Sequence, residues 1–213
     1  MLLVGDSMTR EVVTLTPNTA AGEALALCRE KRVRHFPVVE DGWLVGIVSD
    51  RDLRSATPAL GDPARASALE EIRVSGVMAE EVLTAHPEDP IEQAANTMRE
   101  KRIGCLPVVE NDELLGIITS SDVMGALVYL VGAHEPGSRL EVSVPDRPGA
   151  LAKVVEVFGD GSANILSVVV APPARETPFG ERVAVFRIGT INPQGTVARL
   201  EDAGYRVLWP PRP

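Results

Sequence analysis

The sequence predicts a mixed α/β chain in two parts, a pseudo-twofold pair of small α/β units followed by an α+β domain of ferredoxin-like order. Three observations predict it. Sliding the chain against itself gives a gapless match at an offset of 70 residues from Met8/Met78 to Arg54/Met124, with 18 of 47 positions identical. After residue 138 the pattern changes to strand, helix, strand, strand, helix, strand, the βαββαβ order. The length of 213 residues and the 45% apolar content suit one or two domains with ordinary cores.

Each copy of the repeat reads as strand, helix, strand, turn, strand, helix. The first helix is expected to start at Thr19 or Asp89 as N-caps, with Pro90 in the first helical position where a missing N–H costs nothing. Apolar residues at 21, 24, 25 and 28, and at 91, 94, 95 and 98, then mark one helix face. The basic REKR runs at 29–32 and 99–102 fall at the helix C-termini, where cations offset the dipole. FPVVE and LPVVE, a turn, and the β-branched runs WLVGIVS and ELLGIIT follow as two buried strands. Units of this size cannot each close a core, so the two are expected to pack together.

Charge narrows the function. Residues 1–135 carry 12 Lys/Arg against 22 Asp/Glu, and residues 136–213 carry 9 against 8. An acidic first part argues against general nucleic-acid binding, which needs a basic surface to neutralise phosphates. No apolar run reaches the roughly 20 residues of a membrane span, and the N-terminus shows no secretory pattern, so a cytoplasmic protein is expected. Cys28 and Cys105 form neither a disulfide framework nor a CxxC motif. His35, His86 and His134 stand apart in sequence, with no HExxH, GxSxG or P-loop nearby, so neither a metal site nor a catalytic set is expected.

GIVSDRD at 46–52 and GIITSSD at 116–122 resemble the G-h-h-[ST]-x-x-D signature of CBS domains, and RHFPVVE and GCLPVVE resemble the strand that precedes it. The resemblance covers roughly residues 6–130 and implies a Bateman module with two clefts that commonly bind adenine nucleotides. An Asp in the first turn of the last helix accepts hydrogen bonds from ribose hydroxyls, and a Ser or Thr three residues earlier sits where N–H groups favour phosphate. Ser49 with Asp52 and Thr119 with Asp122 supply that set; the same residues also read as N-caps and first-turn charges. The family places basic residues toward the phosphates at Arg34 and His35, whose counterparts are Gly104 and Cys105, so unequal clefts are expected. Read without the family, Arg34 is a surface cation and His35 a partly buried polar residue. Thr14 and Thr84 complete the nucleotide-binding set that the resemblance implies.

In the second part, Leu140, Val142 and Val144 alternate as a strand, and Leu151, Val154, Val155 and Phe158 share a helix face. Strands at 164–170, 184–188 and 205–209, a Pro-rich loop at 171–181 and a helix carrying Val197 and Leu200 complete the order. VPDRPGALAKVVEVF followed by SANILSVVV resembles the ACT domain over roughly residues 138–210. That resemblance implies an effector site for an amino acid or similar small molecule at Asp146, Gly149, Asn164 and Ile165, and a tendency to dimerise. A simple helix start, with Asp146 as cap and Pro148 in the first turn, explains the same residues.

The expected domains are 1–66 and 67–133 for the two CBS motifs, 134–138 for a linker and 139–213 for the ACT domain. The whole chain resembles the bacterial acetoin-utilisation B-type family in this arrangement, which implies a regulator acting on an unidentified protein. The expected function is a non-enzymatic sensor of an adenine nucleotide, working as a homodimer. A ligand-free dimerisation unit and an enzyme with a spatially assembled site are the competing readings.

Overall fold

The computed structural model describes residues 2–159, 163–172 and 179–210. The chain divides into two compact units, residues 1–126 and 127–213.

The first unit is the repeat. Its first copy contains α1 (Val4–Ser7), α2 (Ala21–Lys31), β1 (His35–Glu40), β2 (Trp43–Ser49) and α3 (Asp50–Ala56). α4 (Arg65–Glu71) and a short 3-10 turn at Val74–Gly76 lead into α5 (Ile91–Lys101), β3 (Cys105–Glu110), β4 (Glu113–Thr119) and α6 (Ser120–Leu130). The β1–β2 and β3–β4 hairpins carry the same register shift, after Val38 and after Val108. Both turns use two residues with positive φ, Asp41–Gly42 and Asn111–Asp112, which matches the right-handed twist of the flanking strands.

The helix starts differ from expectation. α2 and α5 have Ala20 and Pro90 as N-caps, one residue after Thr19 and Asp89. Thr19 Oγ1 instead accepts the Thr16 N–H at 3.1 Å, and Asp89 Oδ2 accepts the His86 N–H at 2.8 Å, so these residues close the turns before the helices. The expected leading strands shrink to single bridges, Leu15 with Val38 and Ala85 with Val108. Pro17 and Pro87 follow two residues later and cannot donate to a ladder, which ends the pairing. β2 is buried only at Gly46 and Val48, so WLVGIVS is a half-buried strand rather than a fully buried one.

The two copies exchange their leading segments. Val4 and Met8 pack in the core of the second copy with Ala94, Leu106, Val108 and Ile118. Val74 packs in the core of the first copy with Phe36, Val38 and Leu53, and Met78 lies against it. Thr9 and Ile117 exchange both backbone hydrogen bonds at 2.9 Å, and Ala79 and Ile47 do the same at 2.9 Å. Each core is thus closed by residues that precede the other copy. A buried Leu, Val, Ile or Phe contributes roughly 1.5–3 kcal/mol relative to exposure, so neither half keeps its core without the other.

The second unit contains β5 (Ser138–Pro145), α7 (Ala150–Gly159), β6 (Ile165–Ala171), β7 (Glu181–Ile188), α8 (Gln194–Asp202) and β8 (Arg206–Trp209). The sheet order is β6-β7-β5-β8 with all pairs antiparallel, as βαββαβ connectivity requires. Alternate residues Leu140, Val142, Val144, Ala184, Phe186 and Ile188 bury one sheet face under Val154, Phe158 and Leu200 of the helices. Residues before β5 are tied to the same sheet: Ser167 Oγ donates to the Val131 carbonyl at 2.8 Å, and Arg187 donates to the Glu135 carbonyl at 2.8 Å. The expected loop at 171–181 lies partly outside the described residues, as does the end of WPPRP.

Candidate functional site

Each copy of the repeat builds the same small device where its second strand enters the last helix. Ser49 donates to Asp52 Oδ2 from its backbone N–H at 2.9 Å and from its hydroxyl at 2.6 Å, and Asp52 N–H donates back to Ser49 Oγ at 3.3 Å. Thr119 and Asp122 repeat this at 2.8, 2.7 and 3.4 Å. These are capping boxes, and they arise locally because the cap side chain and the third helical residue face each other across the first turn. These bonds fall on Oδ2 of both carboxylates, which leaves Oδ1 of each outside the box. The hydroxyl protons of Ser49 and Thr119 are committed to the carboxylates.

β-pairing brings the other expected residues next to these boxes. His35 lies opposite Ser49 in the first hairpin, and Cys105 lies opposite Thr119 in the second. The Arg34 carbonyl accepts the Asp50 N–H at 2.9 Å, and the Gly104 carbonyl accepts the Ser120 N–H at 3.0 Å. Thr14 and Thr84 are exposed and directly precede Leu15 and Ala85, whose backbones bond to Pro37 and Pro107. Arg34, His35, Ser49 and Asp52, with Thr119 and Asp122 of the second copy, therefore lie where the first hairpin strand and the last helix begin, whereas Thr14 and Thr84 precede the single bridges to the middle of β1 and β3.

The two copies differ in charge. Around the first box stand Arg34, Asp50, Arg51, Asp52 and Arg54, with an Asp50–Arg54 ion pair at 3.6 Å. The counterparts of Arg34, Asp50, Arg51 and Arg54 in the second copy are Gly104, Ser120, Ser121 and Met124. Burial holds the His35 imidazole below its usual value, against Asp50 and Asp52, which favour the cation, and with Arg34 and Arg51, which oppose it. Desolvation pushes the buried Cys105 thiol up to about 12, so it stays neutral. Arg51 escaped the sequence reading because the two variable positions of [ST]-x-x-D attract no attention; their change from Asp-Arg to Ser-Ser between copies was the available signal.

In the second unit Asp146 does not cap the helix. It pairs with Arg182 at 2.7 Å, its N–H bonds to the Gly180 carbonyl, and α7 begins four residues later with Pro148 outside the first turn. Gly149 has φ of +79° with nothing within 4 Å of a Cβ position, so its backbone angle rather than close approach requires glycine. Asn164 is exposed before β6 and Ile165 packs partly against the core. A cavity of about 140 Å³ opens beside Asp146, Arg147, Leu151, Val170 and Arg182; Gly149, Asn164 and Ile165 do not line it. The structure thus brings only Asp146 of the four expected effector residues to this cavity.

Among the described residues no group of three His, Cys, Asp or Glu side chains is placed to hold a metal ion. His86 and His134 face Glu110 and Glu135 at 3.5 and 3.6 Å. Among the described residues no helix is long and apolar enough to cross a membrane.

Comparison with known proteins follows the same division. Residues 4–58 and 74–129 match the CBS domain, and residues 138–204 match the ACT domain. The CBS domain-containing protein YhcV of Bacillus subtilis is 35% identical over 123 residues, 58% of this chain and 84% of that protein. A crystal structure described as an acetoin utilization protein (AcuB) from Vibrio cholerae superposes with a TM-score of 0.54 and 35% identity, covering 64% of this chain and 99% of that one. CBSX2 in complex with AMP gives a TM-score of 0.53 and 30% identity, covering 61% and 99%. Two relatives named homoserine O-acetyltransferase match over the repeat, and the chain spans 23% of their length.

Proposed function

Because the chain belongs to the CBS domain family and carries two CBS domains followed by an ACT domain, we propose that it is a regulatory sensor that binds an adenine nucleotide in the CBS pair. The observation that carries the reading is the duplicated capping box, which holds Asp52 and Asp122 by Oδ2 and leaves Oδ1 of each outside the box. A carboxylate fixed in this way accepts ribose hydroxyls without first being ordered, and such charge-assisted bonds contribute roughly 1.5–3 kcal/mol each. The AMP complex of CBSX2 supports the adenosine-containing class. Catalysis plays no part in this reading, so AMP and ATP are returned unchanged.

The ACT unit contributes assembly. Its edge strand β6 exposes Val168, Val169 and Val170, each at 40%, and an apolar unpaired edge of this kind is protected by pairing with a second copy. A homodimer joins two nucleotide-sensing modules, and the cavity beside Asp146 is the place for an amino acid or similar small effector. The regulated protein is unidentified, and a link to acetoin utilisation rests on similarity to the Vibrio cholerae protein.

A thermal-shift screen of AMP, ADP, ATP, S-adenosylmethionine and the amino acids tests the whole reading, since a ligand at 100 times its Kd stabilises by about 2.7 kcal/mol. Calorimetry on Asp52→Ala with Asp122→Ala then tests the site. Loss of binding in a folded double variant is expected; unchanged affinity removes the assignment.

A further inference from the structure

The uncovered face of the second unit's sheet holds a cavity with more positive charge than the chain neutralises. Leu140 and Phe186 turn inward to the helices, so their neighbours Arg139, Val185 and Arg187 point to the opposite face. In register, Ser167, Arg187 and Arg139 form one row across β6, β7 and β5, and Val169 and Val185 stand in the next row. Gly132, at φ of +64°, turns the segment before β5 against Arg187 and Ser167, whose hydroxyl holds the Val131 carbonyl at 2.8 Å. A cavity of about 220 Å³ remains there, lined by both arginines, Ser167 and the apolar Val131, Val169 and Val185.

Like charges directly opposite each other on neighbouring strands destabilise a sheet. Arg139 is compensated by Glu141, whose Oε1 accepts from Nη2 at 2.6 Å and from Nε at 3.0 Å. Arg187 is not. Among the described residues it pairs with no carboxylate; its Nη2 donates to the Glu135 carbonyl at 2.8 Å, and its Nε is buried without an acceptor. The guanidinium lacks a counter-anion, and a carboxylate is the group whose two oxygens match its planar fork. No Asp or Glu lines the cavity, so an ammonium group entering it meets two cations and no opposite charge. An apolar void of about 150 Å³ holds benzene, so this larger one accepts a body of about seven heavy atoms.

We propose that this cavity binds a short, branched aliphatic monocarboxylate without an ammonium group, with Arg187 as the main contact of the carboxylate. It is separate from the cavity beside Asp146, which has Val144, Leu151 and Ala184 in its wall and so lies on the helix-covered face.

Calorimetry on the full chain with isovalerate, valine and isoamyl alcohol, which share one branched skeleton, reads the charge requirement. Isovalerate is expected to bind with a Kd below about 10 mM, and valine and the alcohol at least about tenfold more weakly. Arg187→Met keeps an apolar stem and is expected to weaken isovalerate about tenfold or more, the size of one charged hydrogen bond. Val169→Phe leaves both arginines in place, fills the cavity and is expected to do the same. Val169 is 40% exposed and has room for the larger ring, so this variant decides the outcome if Arg187→Met does not fold. Isovalerate that does not bind at that concentration, valine that binds as tightly, or unchanged affinity in either folded variant overturns the proposal. Loss with Arg182→Met and not with Arg187→Met places the acid beside Asp146 and overturns it as well. None of these variants touches Asp52 or Asp122, so failure here leaves the nucleotide reading standing.

Discussion

The sulfur of Met78 sits where a side chain on Gly46 would be: a Cβ built on that glycine falls 2.5 Å from Met78 Sδ. Seventy residues away, a Cβ on Gly116 falls 2.6 Å from Met8 Sδ and 2.9 Å from the Thr9 carbonyl. The glycine shared by both signatures is thus explained by packing between copies, since each admits the segment that leads into the other.

Alanine at either glycine overpacks this seam. Gly116→Ala is expected to destabilise the chain by about 1–3 kcal/mol, and Gly46→Ala by less, because a thioether moves aside more readily than a backbone carbonyl. Gly76, with nothing within 4 Å of its Cβ position, serves as the control and tolerates alanine. Urea unfolding of the three variants ranks them, and equal midpoints for Gly116→Ala and Gly76→Ala contradict the packing argument.

Ser49 and Thr119 are expected to act through the caps. Replacing either with alanine removes the acceptor of the Asp52 or Asp122 N–H and costs about 0.5–2 kcal/mol. The carboxylate remains, so nucleotide affinity falls far less than in the aspartate variants. Paired unfolding and calorimetry check this; a loss of affinity as large as that of Asp52→Ala would show that the hydroxyl itself meets the ligand.

Acid is expected to weaken the fold through His35. Its folded value lies below the unfolded one of about 6.5, so the unfolded chain binds the proton first. Stability from this group is therefore complete above the unfolded value and is lost as pH falls from there through the folded value. His35→Gln removes that part of the pH dependence. A stability curve from pH 8 to 5 with the same slope in both proteins would contradict it.

The two thiols are expected to resist modification in the folded chain. Cys28 and Cys105 are both buried, and desolvation raises both, so little thiolate is present at pH 8. A disulfide reagent should titrate no thiol in native protein and two in guanidinium. Rapid native labelling at Cys105 would show that its strand opens.

The legible parts of this molecule are those decided within a few residues. The S-x-x-D spacing revealed the capping boxes because their bonds span one helical turn, and PVVE with its turn revealed the hairpins. Thr19 and Asp89 misled because Ser, Thr, Asp and Asn serve turns as well as caps, and here each closes the turn that precedes the helix. Asp146 misled for a related reason, since its partner Arg182 is 36 residues away and no local pattern points to it. The placement of Met78 against Gly46 was hidden because periodicity says which face of a segment is buried and nothing about which copy buries it.

Exchange of the leading segments sets an order of assembly on the ribosome. Val4 and Met8 emerge well before the elements they pack against, since β3, β4 and α5 are made about 90 residues or more later. The first copy has all the residues of its own core once position 78 has emerged, whereas the earliest residues stay unsatisfied until β4 is complete. Such distant closures slow folding and keep apolar side chains waiting. The segment of Val4 and Met8 therefore waits longer for its core than the first copy's own residues do, and a translational pause between positions 80 and 118 would lengthen the time it stands exposed.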